Sequence, residues 1–164
     1  MRNPTGYLRR ETRIDSAQLA ELVRLVSQRG FASSFEVSGS SMMPFIHSGD
    51  KVCLSPVEKN EIRRGDVLAF VVGEDSHMLI HRVVKLSEEG FLCKGDNQAQ
   101  NLDGWIAYDD VIGRVTEIRR EGKAVKLGLG VEKGLIARLS IQNRLVPFVS
   151  GLRRMKWSIL NLFS

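Results

Sequence analysis

Between Phe35 and Leu127 the chain is a succession of short apolar runs broken by turn signals, with no helical period inside it. That alternation limits the fold more than any other feature. The predicted strands are 34–38, 51–55, 67–72, 78–86, 90–94, 111–118 and 123–127, rich in Val, Ile, Leu and Phe. The breaks between them include Ser48-Gly49-Asp50, Arg64-Gly65-Asp66, Gly73-Glu74-Asp75, Glu88-Glu89-Gly90, Gly95-Asp96-Asn97 and Glu121-Gly122. Short strands joined by short turns, without intervening helices, predict a mainly β fold of antiparallel sheets forming a partly closed barrel. A chain of 164 residues is long enough to bury one good core of this kind.

The flanks read as helical. Over 15–29, Asp15 is placed to cap a helix and Gln18 stands at the capping-box position. Leu19, Leu22, Val23 and Val26 share a face, and Gly30 suits the stop. At the other end, 131–145 reads as a basic helix and 147–163 as another, with Phe148, Leu152, Met155, Ile159 and Leu162 on one stripe. The expected organisation is an N-terminal helical segment (1–33), a β-domain (34–127) and a basic amphipathic tail (128–164).

Charge is unevenly spread. Residues 119–164 hold ten Lys and Arg against two Glu, whereas the whole chain carries a net charge of only +5. Such a tail favours an anionic surface, lipid headgroups or nucleic acid, as partner. The single helix at 15–29 is too short for a helix-turn-helix module, which speaks against nucleic acid. An amphipathic basic segment with Trp157 and Phe163 suits an interfacial membrane helix, and equally a helix packed on its own domain. No secretory signal peptide and no run near the ~20 apolar residues of a spanning helix is visible, so the expected location is cytoplasmic or peripheral to a membrane through the tail. Cys53 and Cys93 lie in apolar runs and fit no metal-site spacing; two free thiols are expected.

The candidate chemistry centres on Val37-Ser38-Gly39-Ser40-Ser41-Met42-Met43-Pro44, a strand running into a tight turn. Gly39 permits backbone conformations other residues resist, and Pro44 fixes the direction after the corner. A hydroxyl held there becomes a nucleophile if a base reaches it. His81 is the candidate base. It shares a strand face with Leu79 and Val83, where a histidine must be hydrogen-bonded to be tolerated. His47 and His77 lie in turns and read as solvated. Asp96 and Asp103 are candidates to orient His81, although turn chemistry alone explains both.

Together these residues resemble the type I signal peptidases and their relatives, the LexA-type self-cleaving repressors. Gly39-Ser40-Ser41-Met42-Met43-Pro44 with Ser48-Gly49-Asp50 is similar to the nucleophile motif. Arg64-Gly65-Asp66-Val67, His81-Arg82-Val83-Val84, Lys94-Gly95-Asp96-Asn97 and Val111-Ile112-Gly113-Arg114-Val115 resemble the later family boxes, in order. Most bacterial members carry lysine at the base position; histidine is the endoplasmic-reticulum and archaeal subtype.

The resemblance implies a serine endopeptidase. Ser41 would be the nucleophile and His81 the general base, with Asp103 as the better match to the family aspartate and Asp96 the second. The oxyanion would be bound by the N–H of Ser41 aided by Gly39 or Ser40. It also implies no metal or cofactor, and a peptide or protein precursor as substrate, bound near Met42 and Met43. Gly39 stands where many signal peptidases have an oxyanion-binding serine, and the usual membrane span is not visible. A LexA-type self-cleaving regulator and a non-catalytic β-domain that binds a partner or membrane remain open.

Overall fold

The computed structural model describes residues 16–151, apart from residues 75, 99 and 100. Helix α1 (Ser16–Gln28) leads into eight strands: β1 (Ser33–Glu36), β2 (Lys51–Ser55), β3 (Val67–Val72), β4 (His77–Leu86), β5 (Gly90–Lys94), β6 (Trp105–Ala107), β7 (Val111–Arg120) and β8 (Lys123–Ala124). Helix α2 (Lys133–Ile141) follows. The strands form one antiparallel sheet in the order β1-β2-β7-β3-β4-β5-β6, with β8 paired to β7, curled into a half-barrel. The mainly β, partly closed barrel expected from the turn spacing is therefore the fold.

The two faces of the sheet follow from the period of two. In β3, Val67 and Ala69 join Val52, Leu54, Ile112, Val115 and Ile118 in one apolar cluster. Leu68 and Phe70 point the other way and pack with Val83, Phe91, Cys93 and Ile106. A central strand covered on both faces must be apolar throughout, which explains why β3 shows no alternation. Phe70 and Phe91 meet edge to face, 5.9 Å between centroids.

Helix α1 closes the first cluster with Ala20 and Val23. Leu22, expected on the buried face, is 52% exposed. The face turned to the sheet runs through Leu19, Ala20 and Val23 instead. The helix ends as a Schellman cap. Gly30, at φ +80°, donates to the Ser27 carbonyl (2.8 Å), and Phe31 donates to the Val26 carbonyl (3.2 Å). Asp15, the expected cap, lies outside the described residues.

Strand β6 is absent from the sequence reading because three residues offer too short a pattern. Strand β8 is shorter than expected, although Val125 still donates to the Ile118 carbonyl (2.8 Å). Both cysteines are free; Cys93 is buried and Cys53 half-buried.

The basic helix expected over 131–145 is observed as α2, and residues 145–151 are again helical. Ile136 and Leu145 pack on Phe45 of the Ser41 turn. The rest of the expected stripe, from Leu152 to Leu162, lies outside the described residues. Among the described residues no helix is long and apolar enough to cross a membrane.

Candidate active site

The Ser41 turn is a loop closed at its base by the sheet. Beyond β1 the chain stays paired: Val37 donates to the Asp50 carbonyl (2.9 Å) and Gly49 donates to the Val37 carbonyl (2.8 Å). Residues 38–48 leave and re-enter through this clamp. Gly39 takes φ +107°, the left-handed region where a side chain would be strained. Met42, Phe45 and Ile46 are buried and anchor the loop. Phe45 and Ile46 both donate to the Met42 carbonyl at 3.1 Å.

The loop's far end is fixed by Asp50, which is 1% exposed. Its carboxylate accepts from Arg120 Nε (2.9 Å), Arg120 Nη2 (2.8 Å) and the His47 N–H (2.8 Å). The Arg120 guanidinium holds this carboxyl below the usual carboxylate range. His47 itself is half-buried rather than solvated, because its Nε2 meets the Pro44 carbonyl at 3.0 Å. His77 is exposed, as the first residue of β4.

Strand β4 carries His81, which is 3% exposed. Its ring lies edge-on to Phe70, 6.4 Å between centroids. Nε2 is 2.9 Å from Ser41 Oγ, and Nδ1 is 2.6 Å from Asp103 Oδ2. A neutral imidazole has one donor and one acceptor nitrogen, and a carboxylate only accepts. The Asp103 contact therefore requires the proton on Nδ1, leaving the Nε2 lone pair for the Ser41 hydroxyl. Asp103 is set in place by its own N–H, which donates to the Cys93 carbonyl at the end of β5 (3.1 Å). Gly104, at φ +83°, turns the chain just after it.

Asp96 occupies a different place. It lies 1% exposed beneath the sheet's edge and receives Arg82 Nε at 2.8 Å and Nη2 at 2.7 Å. Arg82 is fully buried; its Nη1 donates to the Gly65 and Gly128 carbonyls, each at 2.8 Å. Burial pushes the Asp96 carboxyl upward, and the Arg82 guanidinium opposes it. Burial likewise lowers Lys94, whose ammonium donates to the Ser140 carbonyl (2.6 Å) at the end of α2.

The segment around Asp96 grips the Ser41 turn from behind. Asn97 N–H donates to the Ser41 carbonyl (2.7 Å), and Asn97 Nδ2 to the Ser40 carbonyl (3.2 Å). Gly95 lies so close that a Cβ there would stand 2.8 Å from the Ser41 carbonyl oxygen and 3.1 Å from its Cβ. Three adjacent residues thus hold the turn, back it and fill the site beneath it.

In front of Ser41 lies a groove of about 410 Å³ between the chain at 36–39 and the first half of β4. Val37, Met42, Ile46, Met78 and Ile80 give it an apolar lining. Met42 is a buried wall of this groove; Met43 is half-buried and does not line it. Ser38 and Gly39 border the groove beside Ser41, whereas Ser40 is exposed and faces away, with its carbonyl taken by Asn97 and Met43. Among the described residues no cluster of His, Cys, Asp and Glu could hold a metal ion.

A serine, a histidine and an aspartate in hydrogen-bonded series, beside an apolar groove with open strand edges, coincide with a match to the family described as Peptidase S24-like, over residues 7–116. The chain belongs to this family. The catalytic subunit SEC11C of the signal peptidase complex is similar in sequence. The human, dog and mouse proteins are each 33% identical over 90 residues, covering 48% of this chain and 47% of theirs. The chain spans about half the length of the curated relatives it matches. Within this member of the S24-like family, the sequence offers Ser41, His81 and the two aspartates but not the partner of Asp96. Arg82 looked like one more residue of a strand, and only the inward turn of its face makes it a buried ligand.

Proposed function

We propose that the chain is a serine endopeptidase of the signal-peptidase kind, acting on precursor proteins. The observation that carries the reading is the unbroken series Ser41 Oγ, His81 Nε2, His81 Nδ1, Asp103 Oδ2, at 2.9 and 2.6 Å. Ser41 attacks the peptide carbonyl as His81 takes its proton. The amine leaves with that proton from His81. A water then attacks the acyl-enzyme, again with His81 as base, and frees Ser41. Asp103 keeps Nδ1 protonated and stabilises the imidazolium that forms in each step. The Ser41 N–H, two residues beyond the Gly39 corner, would bind the developing oxyanion, where one donor is typically worth about 3–4 kcal/mol.

The groove supports an extended peptide as substrate. Its lining includes the buried Met42 and Ile46 and suits apolar side chains; small residues before the cut are what the family resemblance implies. Likeness to the signal peptidase subunit supports precursor processing as the setting. The test is labelling of the full chain with a serine-directed fluorophosphonate, followed by mapping of the modified residue. Modification at Ser41, abolished by His81→Ala, is expected. Labelling elsewhere, or equal labelling of the His81→Ala chain, would end the mechanism.

A further inference from the structure

The groove in front of Ser41 has two edges. Strands β1 and β4 are separated by β2, β7 and β3, each step antiparallel, so β1 and β4 run in the same sense. Both run toward the catalytic residues. On β4, residue 83 bonds to the neighbour on the β3 side: Val83 N–H donates to the Asp66 carbonyl and the Val83 carbonyl accepts from Gly65, each at 2.8 Å. By the alternation of an antiparallel ladder, His81, Leu79 and His77 also face β3, and Ile80 and Met78 turn their backbone groups away from it. Strand β5 covers β4 only from Arg82 onward. The backbone groups of Ile80 and Met78 therefore face the groove.

One of these rungs is already taken. Met78 N–H donates to Ser16 Oγ of α1 (3.4 Å), and Leu19, one turn further on, lines the same groove. We propose that α1 is an end-stop for the peptide-binding edge: Ser16 and Leu19 close it at Met78, so only a short extended segment is read there. This rests on the peptide-binding reading of the groove. A strand lying beside β4 with its reacting carbonyl level with His81 reaches Met78 after about three residues. Beyond that point the bound chain leaves the β path, and its side chains are no longer selected.

Binding tests this without turnover. The full chain carrying Ser41→Ala is titrated with fluorescent peptides of small residues, lengthened one residue at a time from each end. Affinity should rise with length on one side until about four residues, then stay level. Adding Ser16→Gly and Leu19→Ala should shift the level stretch outward, with a further gain of about 3- to 10-fold over the next two residues, the worth of a regained rung. Ser16→Ala alone, which leaves the helix packing intact, should give the smaller part of that gain. Affinity that keeps rising in the parent chain overturns the proposal, as does an unchanged plateau in the folded Ser16→Ala chain or no binding by any peptide. Cleavage by the chain with Ser41 intact is read separately. A plateau without Ser41-dependent cleavage would sink the peptidase reading and leave the end-stop standing.

Discussion

His81 and Arg82 are neighbours on β4, and each meets an aspartate from the chain beyond β5. His81 holds Asp103 at the floor of an open groove, with side-chain exposures of 4% and 11%. Arg82 holds Asp96 with both side chains at 0%. The first pair includes a group that can gain and lose a proton and faces a hydroxyl. The second joins a guanidinium that stays charged to a carboxylate, bidentate and sealed, and its spare donors close on backbone carbonyls. One β-strand thus supplies the proposed catalytic histidine on one face and a buried ion pair on the other, because successive residues point to opposite sides.

The largest effect expected from this contrast falls on the proposed centre. Ser41→Ala and His81→Ala should each lower kcat/KM by about 10⁴ or more with little change in the thermal midpoint. Either variant keeping a tenth of the activity would break the comparison. Asp103→Asn should cost about 10⁴ in kcat while the protein stays folded, since an amide can leave the histidine in the wrong tautomer. If Asp96→Asn in folded protein slows kcat more than Asp103→Asn does, the two aspartates have been given the wrong roles.

Arg82→Met comes next. It strands a buried carboxylate and should cost about 3–5 kcal/mol in urea unfolding, a loss that Asp103→Asn should not show. A smaller effect concerns acid. Asp50 is lowered in the fold from an ordinary 3.8, so its contribution to stability is present above that value and is lost as pH falls through the lower folded one. The Arg120→Met chain should therefore show a shallower loss of stability below about pH 4 than the parent, by chemical denaturation at each pH. Identical slopes would exclude this pair as the acid-sensitive latch of the Ser41 loop. The smallest expected effect is kinetic: burial pushes the Cys93 thiol well above its usual range, so iodoacetamide should modify Cys53 first in native protein. Early labelling of Cys93 would mean that the core around it opens more readily than its packing implies.

Much of this was legible in the chain itself. Seven of the strands follow from apolar runs between glycine-bearing turns, since a half-buried strand must present a repeat of two and many tight turns need φ above zero, where glycine is favoured. Gly39, Gly49, Gly65, Gly73, Gly104 and Gly122 all take positive φ. Ser41 and His81 stand out in the sequence as a corner hydroxyl and a histidine on an apolar face. What sequence spacing could not resolve was partnership across the sheet. Asp96 and Asp103 sit in similar turn-forming contexts, and nothing local separates them. Their neighbours do: Arg82 reaches Asp96 because β4 and β5 pair in a register that sets Arg82 against Lys94, and Asp103 is drawn to Cys93 by a backbone bond.

The sequence by itself determined the strands, the turns and the types of side chain available for chemistry, because those depend on periods and backbone preferences a few residues long. The tertiary structure decided between the two aspartates, of which the family resemblance ranked Asp103 first, and it alone decided that Arg82 is a buried anchor and that α1 lies at the end of the groove with Ser16 on Met78. Each of those is a contact between residues distant in the chain, fixed by strand register and by the burial of Ala20 and Val23 of the helix against the sheet.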